Sequence, residues 1–315
     1  MAICYIGGMK KDRYEWLKNN ISQIGKINWK LTEVIARNKK DAAIALVCVV
    51  LVIVAVVSII KIVNLHSAEI KQEQEIQTLQ EEYISEAGDS SSMSNESDMV
   101  AKSGDLETDP EDDPNAWYHD IDVDLAGLKE QNEDIVGWIY FEDEESISYP
   151  LLYSGDDYYL RRNYLKEEET AGSIYIDGNN NPDLSNAHTL IYGHNMRNLS
   201  MFGKLKFYKT EEDYFKNHRY FQLITETGAY RYEIFAYKDV GTLTGGIYTT
   251  WKYVDDDFKK FVEDSICQGS YVDAEIDVDD ETHIVTLSTC SYDSDVRFTV
   301  SAVRVDEHEW SPWSP

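Results

Sequence analysis

The sequence predicts a mainly β domain with short helices, built as a barrel or sandwich and preceded by one membrane-spanning helix. Two observations carry this prediction: an uncharged apolar run near the N-terminus, and a series of short β-branched and aromatic segments from residue 117 onward. A chain of 315 residues with 43% hydrophobic composition and long polar stretches has room for one well-cored domain plus appendages. We therefore expect a single catalytic or binding module.

Residues 1–41 are predicted to be a basic cytoplasmic segment. Residues 1–63 contain 10 Lys and Arg against 4 Asp and Glu, whereas the whole chain has a net charge of −29. Because Lys and Arg are enriched on the cytoplasmic side of membrane helices, the N-terminus is expected inside and the bulk of the chain outside the cell. The acidic balance also disfavours nucleic acid as a partner, because its phosphates would be repelled.

Residues 42–63 are predicted to be a transmembrane signal anchor. Residues 42–60 read "AAIALVCVVLVIVAVVSII" without a charge, and at about 1.5 Å per residue this run nearly matches the roughly 30 Å hydrocarbon core. A buried core helix is disfavoured because a soluble domain rarely offers a site that is apolar on every side. A cleaved signal peptide is disfavoured because the run starts late and lacks a clear cleavage site. We expect a single-pass protein of the cell membrane.

Residues 64–115 are predicted to form a helical stalk and an acidic, disordered linker. The stretch "NLHSAEIKQEQEIQTLQEEYISEA" is rich in helix formers but polar, which is typical of a solvated helix or a weak coiled coil. Residues 88–115 are rich in Ser, Asp and Glu and nearly lack large apolar side chains. The folded domain is therefore expected to span residues 116–308, followed by a tail at 309–315 without an assigned role.

Within the predicted domain, eight segments have the composition of β-strands. They read "VGWIYF", "SISYPLL", "GSIYID", "HTLIYG", "YFQLIT", "YRYEIFAYKDV", "HIVTLSTC" and "RFTVSAVRV". Helices are predicted at "DDYYLRRNY", "SMFGKLKFY" and "DDDFKKFVEDSI". Strands separated by turns and short helices favour a barrel or sandwich. There is no P-loop and no dinucleotide fingerprint, so we predict no cofactor.

The last two strands carry the first candidate site residues in "TLSTCSYDSDVR". Alternate residues of a strand share a face, so Thr286, Ser288 and Cys290 are expected to point the same way. If the two strands form a hairpin, Arg297 falls across from Cys290. A guanidinium close to a thiol favours the thiolate and can donate hydrogen bonds to an oxyanion. This pattern suggests a cysteine nucleophile assisted by arginine.

The candidate base is His194 in "HTLIYGHNMRN". It follows a predicted strand and Gly193, which places the imidazole at a strand end where side chains converge. His188 has no comparable setting. Two alternatives stay open: His194 is a surface or core histidine, or Cys290 pairs with Cys267 in a disulfide on the oxidising side of the membrane.

A metal site is not predicted. The stretch "DGNNNPDLSNAH" resembles a calcium loop, but Pro182 stands where the loop needs glycine and His188 where it needs glutamate. A surface loop is the better interpretation.

Together, "YGHNM", "TLSTC" and the following arginine resemble the signature of the sortases, the membrane-anchored cysteine transpeptidases of Gram-positive bacteria. The similarity extends over residues 126–305. "YYLRRNY", "AGSIYID" and the insertion with "DDDFKKFVEDSI" resemble the class B branch. This resemblance implies a closed, mostly antiparallel barrel of about eight strands, with N-terminal helices and a helix before the cysteine strand.

The resemblance also implies a mechanism. Cys290 would attack the carbonyl of an LPxTG- or NPxTN-like sorting motif in a secreted protein, giving a thioacyl-enzyme. His194 would protonate the leaving amine, and Arg297 would steady the substrate and the oxyanion. An amine of a lipid-linked peptidoglycan precursor would resolve the intermediate. Ser288 matches a position used for positioning in class B, and Tyr248 lies in the insertion that shapes the groove, so both are expected to bind substrate.

Two alternative functions remain at this point. A pilus-assembling sortase would differ only in using a lysine amine as acceptor. A non-enzymatic adhesin or sensor would carry the Cys267–Cys290 disulfide and need no reactive thiol. An L,D-transpeptidase is disfavoured because its arginine follows the cysteine within two residues, whereas here the gap is seven. Papain-like and NlpC-type peptidases are disfavoured because they place Cys before His.

Overall fold

A computed structural model describes residues 39–86, 117–144, 146–241, 246–290 and 295–310. The predicted cytoplasmic segment lies outside these residues, apart from its last three positions, as do all of the predicted acidic linker at 88–115 and most of the C-terminal tail. The chain divides into two compact units, Met1–Lys71 and Gln72–Pro315.

The first described element is helix α1, Lys39–Tyr83, which has 45 residues. Within it, Ala43–Asn64 is a run of 22 residues that is long and apolar enough to cross a membrane. Its large apolar side chains are mostly exposed, as expected of a helix whose surroundings are apolar on all sides. By length and composition, this run agrees with the predicted signal anchor.

In the second unit, the last turns of α1 contact the folded domain. Leu79 is buried, and Ile76 and Tyr83 pack against the core. The chain then forms β1 (Ile84–Glu86), which pairs with β2 (Ile121–Val123). The sequence predicts a solvated helix or a weak coiled coil here, whereas the last turns are partly buried against the domain. The three apolar residues at helical spacing are easily missed among so many polar ones.

The remaining eight strands close into a barrel. They are β3 Ile135–Phe141, β4 Ser148–Leu152, β5 Ile174–Ile176, β6 His188–Gly193, β7 Tyr220–Thr225, β8 Gly228–Gly241, β9 Ile284–Cys290 and β10 Val296–Glu309. Around the barrel the order is β10-β8-β7-β3-β4-β5-β6-β9, and β9 pairs back with β10. Among the strand pairs of the described residues, only β4–β5 and β6–β9 are parallel. The predicted closed, mostly antiparallel barrel is confirmed.

Short helices lie outside the strands of the barrel, at the three predicted segments and at further positions in the domain. The α-helices are α2 Leu125–Gln131, α3 Phe207–Thr210, α4 Tyr214–Asn217 and α5 Asp256–Phe261, and α5 continues as a π-helix, Val262–Cys267. Single 3-10 turns lie at Trp117–His119, Tyr158–Arg161, Gly203–Lys206 and Gly246–Tyr248. The start of α5 is fixed by Asp255, whose carboxylate accepts a hydrogen bond from the Phe258 backbone N–H at 2.7 Å.

Strand alternation divides the barrel wall into an apolar interior and a more polar outer face. Leu287 of β9 and Val300 of β10 are fully buried in the interior core with Phe221. Burial of each such side chain stabilises the fold by about 1.5–3 kcal/mol. Outside the wall, α5 and its π-helical extension pack Phe258 and Ile266 into a second cluster. This cover lies over the face that carries the candidate site residues.

A buried polar column crosses the outer face of β6, β9 and β10. The Nδ1 of His188 donates to the Thr249 carbonyl at 2.8 Å, because a carbonyl only accepts. The Thr286 hydroxyl then donates to Nε2 at 2.9 Å, and the Ser301 hydroxyl donates to Thr286 Oγ1 at 2.8 Å. Full burial lowers the pKa of His188 to about 4. His188 is therefore a neutral structural residue.

This burial predicts a pH-dependent stability. The pKa of His188 rises to its ordinary value near 6.5 on unfolding, so the unfolded state binds the proton first. The free energy of unfolding should fall as the pH drops from about 6.5 towards 4, with His188 contributing up to about 3 kcal/mol of that loss. Urea unfolding of His188→Gln at pH 7 and pH 4.5 should show a shallower pH dependence than the unsubstituted chain. Equal pH dependence in the two proteins would show that His188 is not the group responsible for the loss of stability.

Candidate active site

The β9–β10 pairing places Cys290 and Arg297 opposite each other. The backbone register pairs Arg297 with Cys290 and Thr299 with Ser288, as the sequence predicted for a hairpin. The Arg297 guanidinium is half-buried, and its Nη1 donates to the Val296 carbonyl at 3.3 Å. Because the strands are about 4.8 Å apart, one end of this hairpin holds both candidate residues.

The parallel pairing of β6 with β9 brings the third candidate to the same end. The last pair of this ladder joins Gly193 to Thr289. His194 follows Gly193 just as Cys290 follows Thr289, so their backbones leave adjacent strands side by side. The three candidate residues therefore lie at the same end of β6, β9 and β10, which are neighbours in the barrel although they are not consecutive in the sequence.

The imidazole of His194 is oriented by a backbone carbonyl. Its Nε2 lies 2.8 Å from the oxygen of Leu160, which belongs to the 3-10 turn Tyr158–Arg161. A carbonyl only accepts, so Nε2 carries a proton and Nδ1 is the nitrogen that can exchange one. The turn is packed closely against Gly172, where a Cβ would lie 2.5 Å from the same oxygen. Sequence reasoning missed this contact, because a backbone acceptor leaves no motif.

A close approach behind His194 explains the glycine that precedes it. A Cβ on Gly193 would lie 2.6 Å from Cδ2 of the Phe202 ring, which is fully buried. The Phe202 backbone N–H also donates to the His194 carbonyl at 3.0 Å. Only glycine leaves room for the ring at this point, so Gly193 fixes where the chain turns after β6.

The two predicted substrate-binding residues are in contact with each other. The Tyr248 hydroxyl lies 3.3 Å from Oγ of Ser288, and Ser288 pairs with Tyr192 of β6. Ser288 is only 2% exposed, whereas Tyr248 is half-buried. The Tyr192 hydroxyl donates to Asp177 Oδ2 at 2.9 Å, and burial raises the pKa of Tyr192. This geometry suits Ser288 for holding Tyr248 and Tyr248 for lining a groove.

Cys267, the alternative partner of Cys290, is a free thiol at the end of the π-helix. Burial raises the pKa of Cys267 above its ordinary value. The nearby Lys238 ammonium donates to the Gln268 carbonyl at 2.7 Å. The Cys267–Cys290 disulfide that the sequence left open is therefore not formed. Among the described residues, no group of three or more His, Cys, Asp or Glu is arranged to hold a metal ion.

Comparison with known proteins decides the family. No family model matches the chain. Sortase B of Listeria monocytogenes is 36% identical to it over 174 residues, which cover 55% of this chain and 69% of that protein. The chain belongs to the sortase B family. It is therefore a cysteine transpeptidase of the sortase type, as the "YGHNM" and "TLSTC" segments predicted.

Solved sortase B structures agree with this assignment. The X-ray structure of Clostridium perfringens sortase B has a TM-score of 0.52 at 31% identity, covering 57% of this chain and 99% of that one. A Staphylococcus aureus sortase B–substrate complex has a TM-score of 0.52 at 28% identity, covering 57% and 83%. The shared part of this sortase B-family chain is about the size of its barrel domain.

The contact between Gly193 and Phe202 gives a testable consequence. Gly193→Ala should destabilise the fold by about 1–3 kcal/mol through overpacking and, because the displaced chain carries His194, lower transpeptidation at least tenfold. Gly137→Ala is the matched control, since its Cβ would lie 2.5 Å from the Ile224 carbonyl on β7. Both variants should lose thermal stability, but only Gly193→Ala should lose activity after correction for the folded fraction. If Gly193→Ala and Gly137→Ala lowered activity equally, Gly193 would have no role in placing His194.

Proposed function

We propose that this sortase B-family protein cleaves a C-terminal sorting signal of secreted proteins and transfers the protein to an amine of a peptidoglycan precursor. In this reaction Cys290 is the nucleophile, His194 the acid and base, and Arg297 the oxyanion and substrate donor. The observation that supports these roles is the convergence of the three residues at the ends of β6, β9 and β10.

The proposed reaction has two halves. The Cys290 thiolate attacks the scissile carbonyl, the C–N bond breaks, and the leaving amine takes a proton from His194 Nδ1. The product is a thioester between Cys290 and the sorting-signal carbonyl. An acceptor amine then attacks the thioester, gives its proton to Nδ1 and releases the thiolate. One amide is exchanged for another without a change in oxidation state, so the proposed reaction needs no oxidant and no cofactor.

Arg297 is proposed to stabilise the negative charge on the attacked carbonyl oxygen. A planar guanidinium presents several donors in a fixed fork, which suits an oxyanion next to the nucleophile. Its position across from Cys290 in the ladder supports this role. The same cation favours the thiolate form of the nucleophile.

Tyr248 and Ser288 are proposed to shape the substrate groove. The related Staphylococcus aureus sortase B has been solved as a substrate complex, so a protein of this fold binds substrate. In this chain Tyr248 begins the insertion that leads to α5, and its hydroxyl contacts Ser288 two residues before Cys290. An LPxTG- or NPxTN-like motif is the proposed ligand.

The apolar run of α1 is proposed to anchor the enzyme in the cell membrane. Ala43–Asn64 would form the span, with residues 1–41 in the cytoplasm and the domain at residues 116–308, together with the end of α1, on the outer surface. A sorting-signal protein with its own membrane tail and a lipid-linked acceptor are then confined to the same bilayer. This confinement raises the effective concentration of both substrates.

Intact mass spectrometry tests the nucleophile and the motif together. The 315-residue chain in detergent micelles is incubated with LPxTG- and NPxTN-like peptides, with and without an amine acceptor. We expect a mass increase equal to the acyl part of one peptide and its loss when the amine is added. Cys290→Ala should show no adduct, and Cys267→Ala should keep it. An adduct on Cys267, or none with any peptide, would overturn the proposed role of Cys290.

The acceptor used in that experiment separates the two functional alternatives. Wall anchoring predicts transfer to the amine of a peptidoglycan stem peptide. Pilus assembly predicts transfer to a lysine side chain of a subunit peptide at a higher rate. With both acceptors present at equal concentration, the ratio of the amounts of the two products, told apart by their masses, measures the preference directly.

The role of Arg297 predicts that charge alone is insufficient. Arg297→Lys keeps the positive charge but loses the planar fork, so kcat should fall about 100-fold with little change in KM. Arg219→Lys is the matched control, because Arg219 forms a half-exposed ion pair with Glu233. Steady-state kinetics of both variants measure the difference. A fully active Arg297→Lys enzyme would refute the oxyanion role.

A further inference from the structure

The loop that follows His194 is held at its far end by one buried hydroxyl. The Met201 backbone N–H donates to Oη of Tyr149 at 3.0 Å, and Tyr149 lies in β4, far from Met201 in sequence. We propose that Tyr149 is a positioning residue for His194, acting through this loop. The proposal rests on the catalytic role proposed above for His194.

The loop returns directly to His194. An antiparallel bridge pairs Asn195 with Met201, and the next residue, Phe202, donates its N–H to the His194 carbonyl at 3.0 Å. A displacement of Met201 therefore reaches the backbone of His194 through a single peptide unit. The side chain of His194 is fixed separately by the Leu160 carbonyl, so backbone and ring have different anchors.

The loop conformation needs external support. Leu199 and Met201 have φ angles of 69° and 54°, in the left-handed region that residues other than glycine avoid. Such strained residues persist only when surrounding contacts hold them in place. The Tyr149 hydroxyl supplies such a contact for Met201, because it accepts the hydrogen bond of the Met201 backbone N–H, and a buried N–H without an acceptor destabilises the fold.

Tyr149 is a constant acceptor under all conditions in which the enzyme would work. The residue is 5% exposed, and burial raises the pKa of its phenol to about 12. Its ring is packed in the barrel core, so the position of the oxygen is set by the rigid wall of β4. The loop thus takes its position from the barrel.

The loop also has space to move if this bond is lost. A cavity of about 270 Å³ lies between the loop and the last turns of α1. Its lining includes Tyr149, Asn198, Ser200, Lys204 and Gln77. Because the loop is not packed tightly on this side, loss of the Tyr149 hydrogen bond leaves Met201 room to shift.

Tyr149→Phe tests the proposal, since it removes only the hydroxyl. In the 315-residue chain in detergent micelles, kcat for a cleaved sorting peptide should fall about tenfold, because His194 is displaced from its working position, with KM unchanged. Amide exchange over residues 195–203 should become about tenfold faster, with β3 and β7 unaffected. Tyr232→Phe is the control, because the fully buried Tyr232 hydroxyl accepts from Arg304 Nη2 at 3.3 Å, away from this loop.

The outcomes separate this proposal from the proposed function. If His194→Ala is inactive and Tyr149→Phe keeps the kcat of Tyr232→Phe, Tyr149 has no positioning role. The proposal is likewise overturned if exchange in Tyr149→Phe rises equally in β3 and β7, because the effect is then global destabilisation. If His194→Ala itself retains transpeptidation, the proposed role of His194 fails, whatever Tyr149→Phe shows.

Discussion

Strand β9 is hydrogen-bonded to β6 on one side and to β10 on the other, and these two ladders both close the barrel and assemble the candidate site. Side chains alternate along a strand, so a slip of one residue would turn Thr286 and Ser288 into the apolar core and place Leu287 on the polar outer face. The same slip would remove Arg297 from its place across from Cys290. The burial of apolar side chains in the barrel therefore also fixes the register on which the chemistry depends.

The polar face of β9 tolerates burial because its hydrogen bonds are satisfied. His188, Thr286 and Ser301 form a continuous column in which each hydroxyl and ring nitrogen has a partner. Polar groups that lose water without gaining partners would destabilise the wall. The satisfied column instead makes the wall below Ser288 and Cys290 rigid, and it disfavours alternative registers that would break it. The candidate site is thus built next to a fully hydrogen-bonded part of the barrel wall.

Local patterns in the sequence were enough to predict the strands and the register of the hairpin. Contacts between segments far apart in the sequence could not be predicted from them. The alternation in "HIVTLSTC" predicted that Thr286 and Ser288 share one face, and the hairpin predicted that Arg297 lies across from Cys290. Both predictions are confirmed, because Leu287 between the two polar residues enters the core and the register pairs Arg297 with Cys290. The parallel ladder between β6 and β9 joins segments about a hundred residues apart and has no local signal. The Leu160 carbonyl that orients His194 was also invisible, because any residue supplies a carbonyl.

The orientation of His194 bears on how one histidine can serve both halves of a transpeptidation. The Leu160 carbonyl accepts from Nε2 in both protonation states of the ring, so in the proposed reaction Nδ1 is the atom that both gives and accepts the transferred proton. In the proposed reaction, the leaving amine must therefore depart from the position that the acceptor amine later occupies. Once the first amine has left, Nδ1 is unprotonated and can take the proton of the acceptor that attacks the thioester. In the proposed reaction, a ring held in one orientation can therefore serve both the departure of the first amine and the attack of the second.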